Sequence, residues 1–274
     1  MPELPEVETV RRTLTDLVVG KCIATVDVYW SKMIKAPDDV RAFTVQLSGQ
    51  TIEAIRRRGK FLLFDLTDDV LLSHLRMEGR YRLALDGEDR TKHTHVVLTF
   101  TDGSALHYAD VRKFGTMHLR KKGTEESLPP LADLGVEPFS PSFTAVLLQN
   151  AYIKTNRAIK TALLDQKTVV GLGNIYVDEA LHRARIHPER QASSLTATEF
   201  NVLHKHIVAT LTEAVEAGGS SIKSYVNGQG EMGFFQQQLA VYGRKGEPCH
   251  TCATPLTKTV VGGRGTHFCT HCQQ

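Results

Sequence analysis

His95-Val96-Val97-Leu98-Thr99-Phe100-Thr101-Asp102-Gly103-Ser104-Ala105-Leu106-His107-Tyr108 is the stretch that sets the fold class. Two runs rich in β-branched and aromatic residues flank Asp102-Gly103, a dipeptide suited to the positive φ of a hairpin turn. The pattern predicts two antiparallel strands, His95 to Thr101 and Ala105 to Tyr108. Runs of the same kind lie upstream at Cys22 to Trp30, Thr51 to Ile55, Phe61 to Leu66 and Val70 to Leu75. Short strands at this spacing predict an antiparallel β-sandwich, with a helix over Asp38 to Leu47 as an insertion. Cys22 is expected in the core of its strand.

Ahead of the strands stands Met1-Pro2-Glu3-Leu4-Pro5-Glu6. From Glu6 to Val18 the residues Val7, Val10, Leu14, Leu17 and Val18 share one helical face, and Gly20 follows as a stop signal. Once Met1 is removed, Pro2 carries a free secondary amine just before the positive end of this helix, beside the carboxylate of Glu3. Such an amine can attack an electrophilic sugar carbon and form an iminium. The plain alternative is an ordinary Met-Pro start without chemistry.

Beyond Lys121 the composition changes. Gly123, Pro129, Pro130, Gly135, Pro138 and Pro141 mark a connector. Helical patterns follow at Ala158 to Leu164, Ile175 to Ala184 and Thr196 to Ala217. Gly171-Leu172-Gly173-Asn174 lies between two of them, either as an ordinary interhelical turn or as a helix start whose amides hold a phosphate. Glycines 218, 219, 228, 230 and 233 punctuate a polar segment that is either a mobile connector or a flap. Near the end, Cys249-His250-Thr251-Cys252 and Cys269-Thr270-His271-Cys272 form two pairs. In a reduced chain this spacing predicts a closed four-thiolate zinc site rather than two disulfides, and a closed site is structural. Lys258 and Arg264 sit between the pairs, with Gly262-Gly263-Arg264-Gly265 as a tight turn.

The chain has 274 residues, room for about two domains, with 41% hydrophobic residues and a formal charge of +3. That charge is too small to imply nucleic acid by itself. Its distribution is uneven, with Arg56, Arg57, Arg58 and Lys60 close together and Arg76, Arg80 and Arg82 soon after. Such a run is a solvated face or an anion-binding surface. No apolar stretch is long enough to span a bilayer, and the N-terminus lacks the pattern of a secretory signal. A cytoplasmic protein is expected.

The N-terminal run Met1 to Thr9, the segment around Lys60, the turn and helix from Gly171 to Glu179, and the four-cysteine module with Gly263-Arg264-Gly265-Thr266 occur together and in order. With these motifs the chain closely resembles bacterial formamidopyrimidine-DNA glycosylase over essentially its whole length. The related endonuclease VIII group usually reads Pro-Glu-Gly-Pro where this chain has Pro2-Glu3-Leu4-Pro5.

The resemblance implies an α+β protein. Residues 1–122 would form a catalytic β-sandwich flanked by helices and 123–141 a linker. A helix-two-turn-helix domain with a lesion-capping loop would take 142–238, and a zinc ribbon 239–274. It implies a monomer, nucleoid-associated through its DNA, that acts on double-stranded DNA containing oxidised bases or abasic sites. Oxidised purines such as 8-oxoguanine and formamidopyrimidines would be flipped out and excised through a Schiff base on Pro2, and the strand cut by β,δ-elimination. An endonuclease VIII-like preference for oxidised pyrimidines is the alternative.

Further roles follow residue by residue. Glu3 resembles the general acid and base, Lys60 the lysine of base release and β-elimination, and Arg264 the arginine of δ-elimination. An arginine is a poor acid in water, so a phosphate clamp suits Arg264 better. Met77, Arg112 and Phe114 resemble a trio that fills the gap left by an extruded base; core packing is the plain alternative for Met77 and Phe114. His93, Asn174 and Lys258 resemble DNA contacts. Cys249, Cys252, Cys269 and Cys272 would hold one structural Zn2+.

Overall fold

The computed structural model describes residues 1–85, 89–220 and 234–274. The glycine-rich segment expected to cap the lesion lies mostly outside them, at 221–233. The chain divides into two compact units. One holds residues 1–132 together with Ser220; the other holds 133–219 and 234–274.

The first unit runs α1 (Leu4–Val18), β1 (Ile23–Val28), β2 (Ile34–Ala36), α2 (Val40–Leu47), β3 (Ile52–Arg58), β4 (Phe61–Leu66), β5 (Asp69–His74), β6 (Arg80–Ala84), β7 (Thr94–Phe100), β8 (Ala105–Ala109) and β9 (Thr116–Lys121). Two sheets form, one in the order β1-β7-β8-β6 and one in the order β2-β9-β5-β4-β3. The pairs are antiparallel except β2 with β9, a parallel exception to the expected pattern. The decisive hairpin forms as predicted, with Thr99 opposite Ala105 and Gly103 at φ 87°.

Helix α1 starts two residues earlier than its hydrophobic face suggested. Pro5 is tolerated there because first-turn N–H groups have no helical acceptor to lose. Its Val7, Val10, Leu14 and Val18 are buried in a core shared with both sheets, while Leu17 is only partly buried. Each fully buried valine or leucine contributes about 1.5–3 kcal/mol. Gly20, at φ 86°, ends the helix. Cys22, expected in the core, is only half-buried, because regular pairing begins one residue later at Ile23.

The second unit contains α3 (Ala145–Tyr152), α4 (Ile159–Leu163), α5 (Asn174–Ala184), α6 (Ala197–Glu216) and a terminal hairpin of β10 (Thr257–Val261) and β11 (Arg264–Phe268). Helix α6 opens with a capping box in which Glu199 N–H donates to Thr196 Oγ1 (3.2 Å) and Thr196 N–H to Glu199 Oε2 (2.8 Å). Helix α5 packs against α6 and against β11. Among the described residues no helix is long and apolar enough to cross a membrane.

Candidate functional site

Pro2 and Glu3 are both buried at the entrance of α1, and Met1, which acylates the Pro2 nitrogen, is 46% exposed. Glu3 is the N-cap residue and Glu6 closes a capping box with it. The Glu6 carboxylate accepts from Glu3 N–H (2.8 Å), and also from Ser220 N–H (2.7 Å) and Oγ (3.1 Å). The start of the helix is thereby fixed from the far end of the unit's chain.

Lys60 follows Gly59 in the two-residue turn between β3 and β4, where Arg58 faces Phe61. Its side chain is buried, 7% exposed. Arg57 ties this turn to α1, donating to Gly59 O (3.0 Å) and to Glu8 Oε2 (3.3 Å). Glu8 also accepts from Arg11 and Arg12. Burial pushes its carboxyl up, but the three guanidinium groups outweigh that and hold it below the usual range. The elements carrying Pro2, Glu3 and Lys60 are thus joined by a charged clasp.

The arginine run resolves into ion pairs. Arg56 binds Asp65 (2.6 Å) and Glu125 (2.9 Å), Arg57 binds Glu8, and Arg58 lies 3.5 Å from Glu126. His74, on β5 opposite Phe61 of β4, is pushed down to about 3 by burial, then by the charges of Arg76, Lys60 and His118. Its neutral Nδ1 accepts from Arg76 N–H (2.9 Å) and so holds the loop that follows β5.

That loop presents Met77, 38% exposed, and the loop after β8 presents Phe114, 51% exposed. Core packing is therefore excluded for both. Arg76 (φ 53°) and Lys113 (φ 59°) each adopt left-handed backbone immediately before the apolar side chain, a strained conformation that the surroundings must enforce. The second loop is enforced by Asp110, whose carboxylate accepts from the N–H groups of Arg112 (3.0 Å), Phe114 (2.9 Å) and Gly115 (2.8 Å). Exposed Arg112 lies over the Phe114 ring, 4.6 Å from its centroid. His93, half-buried, accepts through its carbonyl from Asp110 N–H (3.0 Å), so it borders the same loop.

In the second unit, Gly262 (φ 56°) and Gly263 (φ 75°) form the two-residue link of the β10–β11 hairpin, with Val261 opposite Arg264. Positive φ at both positions suits a type I′ turn and favours glycine. Arg264 and Lys258 are exposed. The next carbonyl, Gly265 O, accepts from Asn174 Nδ2 (2.8 Å) and Lys160 Nζ (3.1 Å). Asn174 Oδ1 is buried without a hydrogen-bond partner among the described residues.

Three residues escaped sequence reasoning. Lys160 and Asp178, both 0% exposed, pair at 2.6 Å, and Asp178 also accepts from His267 N–H (2.8 Å). Glu179 accepts from the N–H groups of Ala240, Val241 and Tyr242 at 2.8–2.9 Å. These contacts pin the hairpin and its lead-in to α4 and α5. The only advance signal was two adjacent carboxylates on a helix otherwise rich in apolar residues.

The four cysteine sulfurs lie within 4.8 Å of one another, with Cys249–Cys272 at 4.0 Å and Cys252–Cys269 at 3.5 Å. A tetrahedral zinc with Zn–S bonds of about 2.3 Å requires sulfurs about 3.8 Å apart, so the set fits that ion.

Family models match the chain in three successive parts. These are the formamidopyrimidine-DNA glycosylase N-terminal domain over residues 1–117, the H2TH domain of that enzyme over 134–226, and the zinc finger found in FPG and IleRS over 246–274. The formamidopyrimidine-DNA glycosylases of Shouchella clausii and Cytobacillus firmus are 72% and 69% identical over 273 residues, covering 100% of this chain and 99% and 100% of theirs. Lactococcus lactis Fpg in complex with DNA containing N7-benzyl-Fapy-dG matches with a TM-score of 0.91 at 44% identity, covering 100% of both chains. The same enzyme in complex with DNA containing an abasic site matches at 0.92 and 43%, over 99% of each.

Proposed function

The chain belongs to the formamidopyrimidine-DNA glycosylase family, and on that premise we propose how its own residues excise an oxidised purine. The protein is a DNA glycosylase and abasic-site lyase that acts on oxidised purines in DNA. With Met1 removed, the Pro2 amine attacks the sugar C1′ while the bond to the damaged base breaks. Opening the sugar ring to an iminium requires a proton at the ring oxygen, which the Glu3 carboxyl supplies. The iminium acidifies the adjacent carbon, and loss of that proton expels the 3′ phosphate; a second elimination expels the 5′ phosphate. Lys60 stabilises charge at the phosphate during these steps, and Arg264 clamps a phosphate as its oxygen departs.

Base extrusion costs a few kcal/mol of lost stacking and pairing. Met77 and Phe114 fill the vacated space and Arg112 hydrogen-bonds the orphaned base. His93, Asn174 and Lys258 hold the backbone. Cys249, Cys252, Cys269 and Cys272 hold one Zn2+, which supplies a structural tie and no chemistry. The protein works as a monomer in the bacterial cytoplasm, as a catalytic sandwich (1–122), a linker (123–141), a helix-two-turn-helix domain (142–238) and a zinc finger (239–274).

One observation carries this reading. A buried Pro2-Glu3 start and solvent-facing Met77, Arg112 and Phe114 occur in the same unit. The test is borohydride trapping on a duplex with 8-oxoguanine opposite cytosine, followed by mass mapping of the adduct. An adduct at Pro2 supports the assignment. An adduct at another residue, or trapping on thymine glycol but not on 8-oxoguanine, refutes it.

A further inference from the structure

We propose that Tyr108 is a positioning residue whose hydroxyl spaces the two loops that present Met77 and Phe114, wedged between Gly79 and Gly115. The proposal rests on reading those exposed side chains as the ones that fill the gap left by an extruded base.

Tyr108 lies on β8, an interior strand of its sheet, and is 1% exposed. Its ring meets Tyr81 edge to face, with centroids 5.1 Å apart, and Tyr81 Oη is itself fixed by donating to Ser73 Oγ (2.7 Å). The ring is therefore packed in place. Its hydroxyl oxygen has no hydrogen-bond partner among the described residues, although a buried hydroxyl normally has one. Its use is spatial. A Cβ at Gly79 would lie 2.3 Å from this oxygen, and a Cβ at Gly115 only 1.7 Å from it. Neither glycine has positive φ, so space rather than backbone conformation requires glycine at both.

Both glycines close the loops in question. Gly79 N–H donates to Leu75 O (2.9 Å), completing the turn that displays Met77. Gly115 follows Phe114 directly and donates to the Asp110 carboxylate that organises the second loop. One oxygen atom thus abuts the base of both loops, and a shift of either is limited by the same stop. The two loops reach that stop from different strands, so the spacing between Met77 and Phe114 depends on it. A protein interior is close-packed, so removing the atom leaves a slot into which either loop can move.

Tyr108→Phe separates this role from a general structural one. It deletes an unpartnered polar atom, so the melting temperature should hold or rise. Borohydride trapping at a preformed abasic site in a single-stranded oligonucleotide, which needs no void filling, should be unchanged. Excision of 8-oxoguanine from duplex DNA should slow about tenfold or more, the scale expected when reacting groups are misplaced by a fraction of an ångström.

Gly115→Ala alone should impair folding and duplex excision. Combining it with Tyr108→Phe should restore part of both, since the 1.7 Å clash disappears and the approaches to Tyr108 Cζ (2.8 Å) and Asp110 Oδ2 (3.3 Å) remain. Met77→Ala and Phe114→Ala serve as reference variants. If they leave duplex excision intact, the void-filling reading fails and the spacer role falls with it. If they slow duplex excision while Tyr108→Phe does not, the spacer role alone is overturned. Equal loss on single-stranded and duplex substrates in Tyr108→Phe also overturns it.

Discussion

Replacing Lys160 with methionine should be among the most damaging changes available outside the reacting groups. The ammonium and its partner Asp178 are both 0% exposed and 2.6 Å apart. Methionine fills the volume of the lysine stem, so the cavity contribution is small. What remains is a buried carboxylate with the His267 N–H (2.8 Å) as its donor. Removing one partner from a buried pair costs about 3–5 kcal/mol. The lost bond to Gly265 O adds less than about 1 kcal/mol, because Asn174 still donates there at 2.8 Å. A total of about 4 kcal/mol is a large share of the roughly 5–15 kcal/mol that holds a typical protein together.

Urea unfolding of the metal-loaded protein measures this cost directly. Salt-dependent DNA binding reports whether the hairpin bearing Arg264 has loosened. The double variant Lys160→Met with Asp178→Leu should recover much of the stability, since an apolar replacement of a whole buried pair is often neutral. A single-variant loss under about 1 kcal/mol, or a double variant as unstable as the sum of two singles, would refute the reasoning.

Glu3→Gln should cut base release by a factor of about 10²–10⁴ while leaving DNA binding intact; near-normal single-turnover excision would remove Glu3 from the chemistry. Cys249→Ser, or a chelator, should lower metal content and DNA affinity together, measured by metal analysis and binding titration. Full affinity without metal would deny the tie. Acidification should destabilise the first unit through His74. This side chain stays neutral in the fold down to about 3, against 6.5 for an ordinary histidine. Below pH 6.5 the unfolded chain takes up the proton first, so stability is intact above that pH and falls as pH drops toward 3. The slope is at most about 1.4 kcal/mol per pH unit, or about 2 kcal/mol by pH 5. His74→Asn should flatten the acid limb of a melting-temperature profile between pH 5 and 7, and superimposable profiles would contradict this.

Strand β4 was legible because Phe61-Leu62-Leu63-Phe64-Asp65-Leu66 is apolar at all but one position and buried on both faces. Strands β6 and β9 were not. In β6 the arginines at 80 and 82 alternate with Tyr81 and Leu83, and the charges read as a basic cluster rather than as one face of a strand. In β9 the buried Met117 and Leu119 alternate with His118 and Arg120, and the run ends where the composition changes. Helix α3 has only eight residues and follows a proline-rich stretch. The N-terminal helix and the cysteine cluster were legible because their signals are local in sequence. The slot made by Gly79, Gly115 and Tyr108 was not, because glycine at two distant positions betrays nothing until the shared neighbour is known. The arginine run misled for a related reason: its partners Glu8, Asp65 and Glu125 lie elsewhere in the chain.

The bonds from Ser220 to Glu6 have a consequence for the order in which the protein is made. A ribosome releases α1 early, and the described strands of the first unit can follow while the rest is still being translated. Ser220 emerges only after the four helices of the second unit. Until then the carboxylate at the third position of α1 lacks both Ser220 donors, and the helix entrance beside Pro2 is unfinished. A nascent chain stalled before residue 220 therefore carries Pro2 in a helix start that is not yet set.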